Sequence, residues 1–204
     1  SDAAGHYRMK RLTDGTYRVR FYDYDGAYLA EYYNDKADLA SADPVVVTAG
    51  TTTVVDAELS PAGVVKGQVT AEDSGTPLRW IDVRLYDAAT GDTVTSISTD
   101  LWGGYRIGAL TTGTYKVRFY DYDGDYLGEY YDDKPDLESA DAVAVTAGMT
   151  TTVDGELTRA GVIRGHATAE DGGAPLEDVW VTLYDAGSGA YVSGGGTDGS
   201  GSYR

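Results

Sequence analysis

Aspartates at alternate positions around a glycine, Asp121-Tyr122-Asp123-Gly124-Asp125, are the residues whose type and spacing come nearest to metal chemistry in this chain. Carboxylate oxygens at every second position of a tight turn match the opening of an oxygen-ligand loop for Ca²⁺. Asp23 and Asp25 repeat the pattern earlier, with Ala27 where Asp125 stands. A Ca²⁺ loop begun at Asp121 needs a closing glutamate at its twelfth position, but Asp132 falls there and Glu129 falls at the ninth. The competing reading makes these aspartates turn formers that face solvent. Calcium, at Asp121, Asp123, Asp125, Asp23 and Asp25, is the one cofactor the residues suggest. A second set is aromatic: Tyr22, Tyr24, Tyr32 and Tyr33 return as Tyr120, Tyr122, Tyr130 and Tyr131. Alternation along strands turns about half of them outward, where rings bind sugar faces or a partner's surface. Packing between neighbouring units is the other use of the same rings.

Catalytic constellations are missing. His6 and His166 are the only histidines, and the positions matching them elsewhere in the chain hold Gly104 and Gln68. There is no cysteine, no G-x-S-x-G, no H-E-x-x-H and no phosphate-binding glycine loop. The formal net charge of −17 argues against nucleic acid and anionic membrane surfaces, which need clustered Lys and Arg. No apolar run approaches the roughly 18 residues of a membrane span. The expectation is a non-enzymatic chain that neither binds nucleic acid nor inserts into membranes. Its first residue is Ser1, which reads as a mature or excised piece of something longer.

The elements that position these residues are announced by a repeat. Residues 15–36, GTYRVRFYDYDGAYLAEYYNDK, return as GTYKVRFYDYDGDYLGEYYDDK at 113–134, a spacing of 98. SADPVVVTAG returns as SADAVAVTAG, and AGVVKGQVTAEDSGTPL as AGVIRGHATAEDGGAPL, at the same spacing. A strict long period predicts self-similar units, each large enough for its own core. The chain then holds the C-terminal part of one unit (1–61), a whole unit (62–159) and the N-terminal part of another (160–204). Within a unit the apolar residues alternate, as in Tyr115, Val117 and Phe119 against Lys116, Arg118 and Tyr120. That is a strand pattern with one buried face. Strands are predicted at 6–12, 16–24, 28–33, 45–48 and 53–59, then around 65–69, 81–85, 94–99, 105–110, 114–122, 126–131, 143–146 and 150–157. Turn signals every eight to twelve residues make the fold class all-β, a tandem array of antiparallel, Ig-like β-sandwich modules.

Gly67-x-Val69, Pro77-Leu78, Val83-x-Leu85-Tyr86-Asp87, Thr99-Asp100-x-x-Gly103-x-Tyr105, Leu110 and Gly113-x-Tyr115-x-Val117 together resemble the carboxypeptidase regulatory-like domain. That family is a small transthyretin-like β-sandwich, similar also to the B-type repeats of Gram-positive surface adhesins. The resemblance implies an extracellular or cell-surface structural protein. Its modules would form a stalk or filament by head-to-tail continuation or by strand complementation between copies. The partners implied are adjacent repeats or further copies of the chain. The alternatives are a carbohydrate- or surface-binding adhesin module using the tyrosines, with a glycan or surface ligand, or an accessory region of a secreted hydrolase. Adhesin modules can also carry a Lys–Asn/Asp isopeptide bond, for which Lys66 is the first-strand candidate, but its counterpart is Arg164 and the last strand has no Asn.

Overall fold

Residues 113–120 turn the sequence pattern into a layer. Tyr115, Val117 and Phe119 are buried, whereas Lys116, Arg118 and Tyr120 lie on the opposite, half-buried face. The chain is described here as a computed structural model covering residues 1–203, and it divides into two units, Ser1–Arg159 and Ala160–Arg204. No helix occurs among the described residues.

The first unit begins with four short strands: β1 (Gly15–Tyr17), β2 (Arg20–Phe21), β3 (Glu31–Tyr32) and β4 (Val45–Val47). β1 pairs antiparallel with β4, and β2 with β3. Nine more follow: β5 (Gly63–Ala71), β6 (Asp82–Asp87), β7 (Thr93–Ser98), β8 (Gly104–Leu110), β9 (Gly113–Tyr120), β10 (Glu129–Tyr130), β11 (Val143–Val145), β12 (Thr150–Thr152) and β13 (Gly155–Leu157). One sheet runs β10-β9-β6-β7, with β11 also on β9, and all its pairs are antiparallel. The other is centred on β5, which takes β8 antiparallel on one side and β12 and β13 parallel on the other. The inner faces meet in one core. Val65, Val69, Tyr105 and Ile107 come from one sheet, and Val83, Leu85, Val117 and Phe119 from the other. The Tyr105 and Phe119 rings meet edge to face at 6.2 Å across the layer. Closely spaced rings and fully buried aliphatic side chains supply the dominant favourable term for such a sandwich.

Local chemistry explains the motifs. The buried Thr99 hydroxyl donates to the Leu78 carbonyl at 2.7 Å and accepts the Ile81 N–H at 3.0 Å, tying β7 to the loop before β6. Asp100 accepts the N–H groups of Trp102 (2.8 Å) and Gly104 (2.9 Å), closing the turn into β8 as a short polar side chain does. Gly103 sits there at φ 74°, and a Cβ on it would lie 2.5 Å from the Val69 carbonyl oxygen. Tyr115 donates back to the Thr111 carbonyl at 2.9 Å, and Tyr17 does the same to Thr13 at 3.0 Å.

Several strands are shorter than their sequence pattern predicts. Residues 6–12 and 53–59 form no strand, while their equivalents 98 residues on become β8, β12 and β13. Those three all pair with β5, and 1–61 contains no equivalent of β5. The predicted return strands 28–33 and 126–131 shrink to Glu31–Tyr32 and Glu129–Tyr130. The left-handed pairs Asn34-Asp35 and Asp132-Asp133 curl the chain so that Tyr32 bridges Lys36 and Tyr130 bridges Lys134.

In the second unit, β14 (Gly165–His166) pairs with β17 (Ser202–Tyr203), and β15 (Trp180–Tyr184) with β16 (Tyr191–Gly196), all antiparallel. Thr197 repeats the role of Thr99, donating to Leu176 at 2.6 Å and accepting from Val179 at 3.0 Å.

Candidate binding surface

The aspartate turns are built by their own backbone. Asp121 accepts the N–H groups of Asp123 at 3.0 Å, Asp125 at 2.8 Å and Tyr126 at 3.0 Å. Asp23 accepts from Asp25 at 3.2 Å and from Ala27 at 2.7 Å. Each turn therefore uses its first carboxylate to satisfy N–H groups that a reversing chain leaves unpaired. Among the described residues no three His, Cys, Asp or Glu side chains converge as a metal-binding group.

The tyrosines fall into two classes. Tyr24 is 89% exposed and Tyr122 70%, at the tips of the turns, with Tyr22 also exposed. Tyr32, Tyr33, Tyr120, Tyr130 and Tyr131 are half-buried, and Tyr131 packs against the core. Strand pairing brings the second copy's rings together with arginines. Arg118 of β9 faces Tyr130 of β10 directly. Its guanidinium lies 4.4 Å from the Tyr120 ring centroid and 5.8 Å from that of Tyr130. Arg20 sits likewise at 5.4 Å from Tyr22 and 5.9 Å from Tyr32. Tyr22 and Tyr24 meet edge to face at 4.7 Å, as Tyr120 and Tyr122 do at 4.9 Å. Such cation–π and ring-edge contacts stabilise exposed surfaces by about 0.5–1 kcal/mol each.

β6 adds Arg84, which lies opposite Arg118 in the pairing register. Asp82 at 3.1 Å and the Tyr122 hydroxyl at 3.2 Å accept from it, and Asp82 is the main reason its pKa is raised. Its Nε is buried without a hydrogen-bond partner. Lys116 turns away from the ladder to donate to the carbonyls of Leu137 (2.6 Å) and Glu138 (3.0 Å). At the far end of β9, Glu129 has its carboxyl pKa pushed up to about 7, first by burial and then by Asp133, Glu72 and Glu156.

The arrangement therefore offers clustered, edge-to-face rings with guanidinium groups beside them, a surface suited to packing or to flat ligands. Reading the sequence for tyrosines alone passes over Arg20, Arg84 and Arg118. The signal was present: period-two alternation puts Arg20 with Tyr22, and Arg118 with Tyr120, on one face. Glu129 carries no such signal, because burial by residues far away in sequence shifts it.

No protein-family model matches this chain, and no curated protein matches it. Among solved structures, the chain is similar to a streptococcal ancillary pilin, at 12% identity and a TM-score of 0.43, over 94% of this chain and 62% of that one. It is similar to the minor pilin of the Gram-positive pathogen Streptococcus agalactiae, at 17% identity and a TM-score of 0.38, over 76% of this chain and 64% of that one. It is also similar to the Bacillus anthracis TIE protein, at 14% identity and a TM-score of 0.38, over 94% of this chain and 35% of that one. The chain thus spans from about a third to just under two thirds of these proteins.

Proposed function

We propose that this chain is a segment of a non-enzymatic extracellular or cell-surface structural protein, in which successive β-sandwich modules continue one another as a stiff stalk or filament. The observation that carries this reading is the junction at 60–62. Leu29 donates to the Ser60 carbonyl and Ala62 to the Ala27 carbonyl, both at 2.8 Å, and Tyr28 bridges Pro61. The connection is thus itself held by an antiparallel β-bridge. A flexible linker would leave its backbone groups to water; this one uses them within the fold. Adjacent modules of the same chain, or further copies, are the partners such a design serves. Its acidic surface keeps neighbouring fibres apart. Electron microscopy of the native protein tests the reading: rods with a regular axial spacing are expected, and compact single particles refute it.

A second reading is supported by the exposure of Tyr24 and Tyr122. Rings at turn tips stack on sugar faces, which makes a glycan or surface ligand the natural occupant. A glycan array separates the two, because a spacer gives no signal.

A further inference from the structure

The Asp25-Gly26 turn does not end in solvent. Gly26 is buried although Tyr24 and Asp25 beside it are exposed. What covers it is β8 of the following segment. The Ala109 N–H donates to the Gly26 carbonyl at 2.7 Å, and the Arg106 guanidinium donates to the Asp25 carbonyl. β5 and β8 slip in register between their pairs Gly63–Leu110 and Val65–Ile107, and Gly108 and Ala109 lie in that slip. The irregularity leaves Ala109 free to donate outward.

The approach is too close for side chains. A Cβ on Gly26 would lie 2.9 Å from the Gly108 Cα, and one on Gly108 would lie 2.5 Å from the Gly26 oxygen. Gly26 also needs its left-handed φ of 65°. Gly108 has no positive φ to explain it, so the arriving turn is what requires the missing side chain. Asp23 holds the turn from within, accepting the N–H groups of Asp25 and Ala27. The receiving position is not the same in every copy. Residue 10, which stands 98 positions before Gly108, is Lys10.

We propose that the Asp25-Gly26 turn and Gly108 form a steric lock that sets the angle between one module and the next, so that the residue at the Gly108 position decides between a stiff joint and a hinge. Glycine there admits the preceding module's turn; a side chain, such as Lys10 in the first copy, excludes it. Because the connection at 60–62 is short but single, the turn supplies the second point of attachment that removes the remaining rotation. This deepens the stalk reading and rests on it.

The chain has no cysteine, so spin labels can be placed singly at Thr51→Cys and Ser96→Cys, both exposed, one on each side of the junction. Pulsed electron–electron resonance on the 204-residue chain is expected to give one narrow distance peak. Gly108→Lys, which imports the first copy's residue, and Gly26→Val, which attacks the contact from the other side, should each lose that peak to a broad distribution. Gly124→Val, the same change in the other copy's turn, should keep it. Thermal unfolding followed by near-ultraviolet circular dichroism reports whether the 62–159 core stays folded, and Gly26→Val lies outside that core. A broad distribution in the unsubstituted chain refutes the stiff stalk itself. A narrow peak that survives both Gly108→Lys and Gly26→Val overturns the lock while leaving the stalk standing.

Discussion

At the scale of single residues, pH acts through two opposed groups of carboxylates. Asp38, Asp87, Asp136, Asp185 and Asp198 have lowered pKa values because neighbouring N–H and hydroxyl groups donate to their charged form. Their contribution is present above the ordinary aspartate range and is lost as pH falls through the lowered values. Glu129 works the other way. Its pKa rises from an ordinary 4.5 to about 7, so the folded state holds a proton that the unfolded state has released. Its contribution is complete below about 4.5 and is lost as pH climbs through 7. Stability is therefore expected to be greatest just above the titration of the aspartates and to decline towards neutrality. Glu129→Gln mimics the protonated acid and should abolish that decline, matching the unsubstituted protein near pH 4.5 and exceeding it at pH 7. Since Glu129 is only half-buried, solvent screening reduces the gain to about 1 kcal/mol. Urea unfolding at a series of pH values measures it, and equal stability of the two proteins at pH 7 would contradict the assignment.

At the scale of elements, β5 is where the fold is most exacting. Val153 lies between β12 and β13, donates to the Lys66 carbonyl at 2.8 Å and accepts the Tyr105 hydroxyl at 2.6 Å. A Cβ on Gly67 would fall 1.8 Å from the Val153 oxygen and 2.6 Å from its carbonyl carbon. Backbone held on both sides cannot retreat as a side-chain tip does, so Gly67→Ala should lose about 3 kcal/mol. Gly124→Ala, at φ 76° with open space around it, should lose only the roughly 1 kcal/mol of left-handed strain. Chemical denaturation of both separates packing from backbone strain, and equal losses would refute the close approach. Gly67 and Val69 stand in the sequence as a strand pattern, and β5, β6, β8 and β9 were all legible from such alternation. That signal is local, because each residue's face is set by its neighbours two positions away. The parallel docking of residues 150–157 onto β5 was not legible, since alternation marks a strand without naming its partner. Tyr22 and Tyr120 likewise announced an aromatic face, and alternation put Arg20 and Arg118 on it, whereas Arg84 joins it only once β6 and β9 are in register. The contact of Gly26 with Gly108 left two glycines as its only trace.

At the scale of the whole molecule, the charge of −17 meets a surface with few ion pairs among the described residues. Arg84–Asp82, Lys134–Asp141 and Arg159–Asp73 are among them, and their partners are half-buried or exposed. Surface pairs of this kind contribute at most about 1 kcal/mol each. They do not offset the mutual repulsion of so many carboxylates, which weakens the compact state. Salt screens that repulsion over about 10 Å at 0.1 M, so the unfolding temperature should rise with NaCl and level off once screening is complete. Calcium discriminates a general effect from a specific one. Asp121 already accepts three backbone N–H groups and Asp23 two, so these two carboxylates are engaged in holding their own turns. At equal ionic strength CaCl₂ should therefore raise the unfolding temperature no further than NaCl, and a chelator should leave it unchanged. A saturable increment peculiar to Ca²⁺, lost in Asp121→Asn, would instead make the turns cation sites, because binding to the folded state alone stabilises in proportion to the logarithm of ligand concentration.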